Sequence, residues 1–245
     1  KNFVKKIHYW NPIFKVKNKK NIFFIMAGGK GKRLWPLTKN TPKPMLKVNN
    51  KPMLENLITR ARSYGFTNFI ISVNYKKNKI IDYFKDGREF NVNIEYIIEK
   101  KPLGTAGSLS LLKSKTKGPI IVANGDIHTQ IDFLELLNFH NKNKAFATTV
   151  IKQIEQTSEF GIIKNKGIYF ENFEEKPIKK FNINTGIYVF NRNIVKHIKH
   201  LKIDMPEILI KLKKKKKKII IFPAHEHWSD LGLKKNLLKI NKKLI

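Results

Sequence analysis

The feature that most constrains this chain is a rhythm: short apolar runs alternate with segments whose apolar residues recur at helical spacing. Five runs, at 22–26, 69–73, 92–98, 120–123 and 145–151, are rich in β-branched and aromatic residues and predict strands. Between the first two, Met53, Leu54, Leu57, Ile58 and Ala61 define one helix face, closed by Tyr64-Gly65. Ile80, Ile81 and Phe84 give a second face. A third helix is expected to start near Thr105 and present Leu109 and Leu112, and Phe133, Leu136 and Leu137 mark a fourth. Strands joined by helices need crossovers that cover both faces of a sheet, which predicts an α/β fold with a mostly parallel sheet. Ligand chemistry then belongs at the carboxyl ends of the strands.

Beyond residue 155 the spacing shortens. Gly161-Ile162-Ile163 and Gly167-Ile168-Tyr169-Phe170 flank a lysine-asparagine turn and predict a hairpin, and 186–190 reads as a further strand. Helical segments at 193–199 and 206–213, a strand at 219–222 and an amphipathic helix at 234–243 complete the chain. This half is expected to pack against the first sheet as a smaller mixed α/β part and supply the other lip of a cleft. Residues 1–20 are lysine-rich around His8-Tyr9-Trp10 and read as a leader or the end of a preceding domain.

No apolar run approaches the roughly 20 residues that span a bilayer, and no signal-peptide pattern opens the chain. A cytoplasmic protein without a membrane partner is expected. The absence of cysteine excludes disulfides, thiolate nucleophiles and cysteine-bound zinc. His225 and His227 bracket Glu226, but neither an HExxH spacing nor a compact third ligand accompanies them, so zinc is not expected. The charge balance is 50 basic to 18 acidic residues, a net +32. That excess is almost all lysine, spread along the chain and densest at 213–218, while arginine, the better reader of bases and phosphates, is scarce. It reads as solvated surface, and no nucleic-acid partner is expected.

The most informative segment is Ile25-Met26-Ala27-Gly28-Gly29-Lys30-Gly31-Lys32-Arg33-Leu34, which leaves the first predicted strand. Its glycines allow backbone turns that point N–H groups at phosphate oxygens. It is neither a Walker loop, since Met26 holds the first glycine position and Arg33 the Ser/Thr position, nor a dinucleotide fingerprint, since Leu34 holds the third glycine position. In Thr41-Pro42-Lys43-Pro44-Met45-Leu46, two prolines stiffen the backbone around Lys43. Arg33 and Lys43 are thus candidates to neutralise a triphosphate and the charge developing on a leaving pyrophosphate. Asp126, in Asn124-Gly125-Asp126, follows the fourth strand. Asp230, in His227-Trp228-Ser229-Asp230-Leu231-Gly232, follows the last one. Taken singly they read as a turn residue and a helix cap; taken together they can hold Mg²⁺ against substrate phosphates.

Five blocks in order carry a resemblance to the sugar-1-phosphate nucleotidyltransferases, which make NDP-sugars. They are the 28–34 loop with Pro42-Lys43-Pro44; Pro102-Leu103-Gly104-Thr105-Ala106-Gly107; Asn124-Gly125-Asp126; Glu175-Lys176-Pro177 with Asn184-Thr185-Gly186; and Trp228-Ser229-Asp230-Leu231-Gly232. The resemblance implies the nucleotide-diphospho-sugar transferase fold, a three-layer sandwich around a Rossmann-like sheet. One domain at 21–243 would bind nucleotide mainly through 21–155 and sugar phosphate mainly through 156–243. It implies a Mg²⁺-dependent reaction in which a sugar 1-phosphate oxygen attacks the NTP α-phosphorus and pyrophosphate leaves.

By the same resemblance, Ala27, Gly28, Gly29, Gly31, Pro102, Gly104 and Thr105 contact the nucleotide, with Arg33, Lys43 and Asp126. Leu103, Gly125, Glu175, Lys176, Asn184 and Gly186 bind the sugar phosphate, and Asp126 and Asp230 hold the metal. Arg33, Lys43, Asp126, Lys176 and Asp230 carry the catalysis. Two positions depart from the family pattern: Lys32 replaces a common threonine and adds charge, and Thr185 replaces a common alanine and adds a hydroxyl and a β-branch. The 42–46 and 102–107 blocks look closest to guanylyltransferases for amino-sugar, heptose or mannose 1-phosphate, which favours GTP. Such forms can follow regulatory nucleotide-binding domains, and exposed helical faces suit a homo-oligomer. Thymidylyl or uridylyl transfer and a noncatalytic sugar-nucleotide-binding domain stand as alternatives.

Overall fold

The computed structural model describes residues 17–112, 118–198 and 202–242. Most of the 1–20 leader, with its aromatic island at 8–10, lies outside the described residues. The first strand, β1 (Lys19–Met26), precedes two short 3-10 helices at Lys32–Leu34 and Lys43–Met45. A small ribbon of β2 (Lys47–Val48) and β3 (Lys51–Pro52) leads into α1 (Met53–Ser63), followed by β4 (Phe66–Val73), α2 (Lys77–Phe84) and β5 (Asn93–Ile98). Then come α3 (Gly104–Gly107), β6 (Ile120–Asn124), β7 (Ile127–Thr129), α4 (Phe133–Lys142) and β8 (Ala147–Thr157). The chain continues through β9 (Ile162–Lys166), β10 (Tyr169–Glu174), β11 (Ile178–Phe190), α5 (Met205–Lys214), β12 (Ile219–Pro223), β13 (Trp228–Asp230) and α6 (Lys234–Lys242).

Seven strands form one sheet in the order β12-β8-β11-β6-β1-β4-β5. All ladders are parallel except the two made by β11, which runs against β6 and β8. Alternation along the strands serves two cores. Phe23 and Ile25 face α1 and α4 with Leu54, Ile58, Phe133 and Leu136. Phe24, Ile120 and Val122 face the other layer with Leu109, Met205 and Ile208. Two apolar faces covered by helices make the expected three-layer α/β sandwich. Each fully buried Phe or Ile contributes about 1.5–3 kcal/mol.

Several expectations change in detail. The helix near Thr105 is a single turn that tightens into a 3-10 helix at Ser108–Leu111, and 193–199 is a 3-10 helix at Arg192–His197. The strand at 186–190 is the inner end of the longer β11, whose outer half pairs with an equally extended β8. The second half does more than pack against the sheet, as α5 does: β11 enters it between β8 and β6, β12 extends its edge, and β8 runs through the 155/156 boundary. Apolar periodicity cannot report the β8–β11 extension, because its outer residues are exposed on both faces. Among the described residues no helix is long and apolar enough to cross a membrane.

Candidate active site

The parallel strands β1, β4, β5 and β6 deliver their carboxyl ends to one rim. Because β11 is antiparallel, the beginning of its inner segment, Asn184-Thr185-Gly186, reaches the same rim. Ala27 N–H donates to Ser72 O at 2.8 Å and Gly125 N–H to Met26 O at 2.9 Å, locking the β1 exit between its neighbours. Gly31, at φ 65°, turns the loop into the first 3-10 helix. There Leu34 is buried as an anchor while Arg33 stays exposed above it.

Lys43 begins the second 3-10 helix, with Pro42 before it and Pro44 after it. Its side chain is only 8% exposed. Lys43 Nζ donates to Asp126 Oδ2 and lies 3.8 Å from Asp230 Oδ1, while Arg33 Nη1 lies 3.8 Å from Asp230 Oδ2. The aspartates meet because β7 and β13 pair antiparallel, with Asp230 opposite Ile127, and Leu231 N–H donates to Asp126 O at 3.2 Å. Asp230 is held further by Gly232 N–H to its Oδ1 and by Asn236 Nδ2 to its carbonyl, both at 2.7 Å. A Cβ on Gly232 would meet Lys43 Nζ, and the ammonium would have to shift to admit it. Removing either charge type alone would leave buried charge uncompensated.

Three cavities open around Arg33 and Asp126, and a larger one, about 740 Å³, meets the cluster only at Asp230. The first, about 340 Å³, is lined by Ala27, Gly28, Gly29, Arg33, Lys43, Pro102, Gly104, Thr105 and Asp126, with Met26, Pro44, Glu99, Asn124 and Asp204. The second, about 280 Å³, lies under the loop and includes Gly31, Lys32 and Gly232. The third, about 230 Å³, joins Arg33, Thr105, Asp126 and Asp230 to Asn184, Thr185, Gly186, Tyr188 and Trp228. Leu103 and Gly125 line none of the three. Leu103 contributes through its N–H, which donates to Glu99 Oε2 at 3.1 Å. Glu175 and Lys176 line none of them either. They are exposed at the turn between β10 and β11, where Lys176 takes φ 41°.

Glu99 was not singled out from the sequence. Its carboxylate is almost buried, accepts from Ser72 Oγ at 2.6 Å and Leu103 N–H, and faces the 340 Å³ cavity. Its place just past the carboxyl end of β5 is the signal that could have found it. Asp204 is a second such residue: Thr105 N–H and Oγ1 donate to its Oδ1 at 2.8 and 3.1 Å. Gly104 permits this contact, since its φ is 77° and a Cβ would stand 2.6 Å from Ile203 O. The Thr185 hydroxyl donates to Val150 O at 2.8 Å, so its extra polar group is satisfied. Lys32 lies beside Arg33 on the loop wall of the second cavity. His128, on β7, is lowered from its usual range first by burial and then by His227 and Arg60.

A mostly parallel sheet whose rim gathers a glycine loop, two cations and two carboxylates is the nucleotide-diphospho-sugar transferase fold. HddC from Yersinia pseudotuberculosis, solved in complex with GMP-PN, superposes with a TM-score of 0.73 at 24% identity, covering 92% of this chain and 100% of that one. The model of the nucleotidyl transferase family matches residues 22–245, and the chain belongs to this family. It is 32% identical over 223 residues to a mannose-1-phosphate guanyltransferase of Schizosaccharomyces pombe. It is 33% identical over 222 residues to one of Yarrowia lipolytica. Both alignments cover 87% of this chain, which spans 61% of the length of each relative.

Proposed function

We propose that the chain transfers a nucleotidyl group from a nucleoside triphosphate to a sugar 1-phosphate, and that the donor is GTP. The observation that carries the reaction is the convergence of Arg33, Lys43, Asp126 and Asp230 where the phosphate-loop cavity meets the one bounded by Asn184 and Gly186. A triphosphate along the 27–33 loop would place its α-phosphorus near that junction. A sugar phosphate oxygen attacks there, the bond to the bridging oxygen of the pyrophosphate breaks, and the electron pair leaves with pyrophosphate. No protein nucleophile is needed, because the attacking oxygen is already anionic. Arg33 and Lys43 offset the charge that builds on the leaving group, and the loop N–H groups fix its orientation. Asp126 and Asp230 fit Mg²⁺, since both carboxylates already converge on one cation, Lys43 Nζ, and hard oxygen donors suit that ion. When bound, Mg²⁺ would withdraw charge from the phosphate oxygens.

Glu99 supports guanine. On this reading the base lies at the Glu99 end of the phosphate-loop cavity, where a carboxylate accepts two hydrogen bonds in parallel from the guanine N1–H and N2–H₂ edge, whereas uracil and thymine offer one N–H beside carbonyl oxygens. Support also comes from relatives named as guanyltransferases. The test supplies GTP, UTP, dTTP, CTP and ATP with a panel of sugar 1-phosphates and follows Mg²⁺-dependent pyrophosphate release. GTP is expected to lead, and Glu99→Gln should cut GTP use at least tenfold while UTP or dTTP use rises relative to it. Equal use of all five by the unmodified protein would defeat the GTP assignment.

One observation favours the noncatalytic alternative: Glu175 and Lys176 stand away from the three cavities. If Lys176 reaches the sugar phosphate during turnover, Lys176→Ala raises KM for the sugar phosphate and leaves NTP binding unchanged. NDP-sugar binding without turnover, on every donor tried, would select the noncatalytic reading instead.

A further inference from the structure

β11 enters the main body of the sheet through a break in its pairing. Its outer part pairs with β8 up to Asn184 opposite Ile151, and its inner part resumes at Tyr188 opposite Thr149. Residues 185–187 therefore stand against Val150 alone, a β-bulge at the wall of the 230 Å³ cavity. Bulges disrupt the ladder locally and re-aim side chains beside binding sites, so what holds one in place decides the shape of the site. Three neighbouring strands hold this one. The buried Thr185 hydroxyl donates to Val150 O on β8 at 2.8 Å. Trp228 Nε1, at the start of β13, donates to Thr185 O at 2.9 Å. Gly186, at φ 76°, lies against the Asn124 side chain of β6, where a Cβ would collide.

The Thr185 carbonyl and the Gly186 N–H belong to one planar peptide. Trp228 holds its oxygen, and Asn184 Oδ1 accepts from its N–H at 3.1 Å. The Thr185 side chain ties the same peptide to β8, so all three bonds bear on one rigid unit. Asn184, Thr185, Gly186 and Trp228 line the cavity that meets Asp126 and Asp230. We propose that Thr185 is a positioning residue for the sugar phosphate, its hydroxyl setting the peptide that forms the wall of that cavity. The proposal rests on the reaction assigned above and adds to it a residue that acts through the backbone it holds. A buried threonine can also serve stability alone. Thr148 is such a residue: it is buried on β8, its hydroxyl lies 2.8 Å from His140 Nδ1, and it lines none of the cavities described above.

Steady-state kinetics beside a thermal melt test it. Thr185→Val keeps the β-branch and removes the donor. It should raise KM for the sugar phosphate about fivefold, the scale of one lost hydrogen bond, and leave KM for the nucleotide and kcat within about twofold. Thr185→Ser, which restores the hydroxyl, should return KM to that of the unmodified chain. Thr148→Val should lower the melting temperature and change neither KM. Should Thr185→Val fail to fold, Thr185→Ala takes its place. A variant that melts lower with both KM values unchanged would overturn the proposal, because Thr185 would then serve stability alone. So would an equal rise in both KM values, or a serine no better than valine. Calorimetry with GDP-glucose, UDP-glucose and dTDP-glucose, each against its bare diphosphate, repeats the comparison without turnover. Thr185→Val should weaken the sugar nucleotide that binds and leave its bare diphosphate unchanged; equal weakening of the two would overturn the proposal. An unmodified chain that binds one of these and turns nothing over would defeat the assigned reaction, while the ratio of the two Kd values still decides the role of Thr185.

Discussion

Arg33 and Lys43 both reach Asp230 from opposite conditions, one two-thirds exposed and one almost buried. Substitution should therefore separate binding from folding. Arg33→Ala should lower kcat/KM by about 10–100-fold, the scale of one lost charge-assisted contact, with no change in melting temperature. Lys43→Ala should abolish turnover and also destabilise by about 1–3 kcal/mol, because Asp126 then loses the cation that neutralises it and Asp230 keeps only the exposed Arg33. Steady-state kinetics beside a thermal melt distinguish the two. Asp126→Asn and Asp230→Asn should each suppress turnover in a folded protein, and the double variant should lose less than both losses combined, as expected of residues acting as a unit. Strict additivity of the losses would separate the two carboxylates. These four residues were legible because glycine, proline and strand-end motifs flag them in the sequence. Glu99 was not. A single glutamate after a strand looks like solvated surface until its burial against Ser72 and Leu103 is seen.

The elements that could be read from the sequence are helices with one buried face and strands buried on both, each long enough to show its pattern. β7 and β13 are three residues each, too short for that, yet their pairing alone brings Asp126 beside Asp230. α6 stabilises the ribbon through Asn236, which holds the Asp230 carbonyl, and through Leu237, which packs with Val48, Met53 and Leu231. Asn236→Ala should lower kcat while leaving the KM for nucleotide nearly unchanged, since it touches no part of the nucleotide cavity; a raised nucleotide KM would contradict this. α4 carries a pH response. His140 is buried against Thr148, and burial lowers it from 6.5 to about 4. Between those values the unfolded chain binds a proton that the folded chain refuses. Stability should be fully present above about 6.5, fall as pH drops toward about 4, and level off below, at a slope of up to about 1.4 kcal/mol per pH unit. Melting curves of the unmodified chain and His140→Asn across that window check it: the two slopes should differ, and coincident slopes would refute the assignment.

Across the whole molecule, the sequence pattern announced a mostly parallel sheet with its chemistry at one rim. It did not announce that the second half would enter the sheet, because period and composition are blind to strand direction and order. The direction of β11 matters, since only an antiparallel strand brings the start of its inner segment to that rim. Segments from 27 to 232 therefore build one site, and a ligand bound there joins both halves of the chain. GTP with Mg²⁺ should raise the melting temperature by several degrees, following the logarithm of free ligand. Each alone should do less. A shift identical with and without Mg²⁺ would argue against a shared metal and nucleotide site.

The contact of Lys43 with both aspartates also sets an order of arrival. In the free protein the ammonium occupies the space between the carboxylates, so a dication arriving alone must compete with a tethered rival that never diffuses away. A triphosphate changes the contest, because it offers Lys43 new oxygens and carries a partly neutralised dication with it. On the proposed assignment, the site therefore discriminates against bare metal and admits the metal–nucleotide complex as a unit.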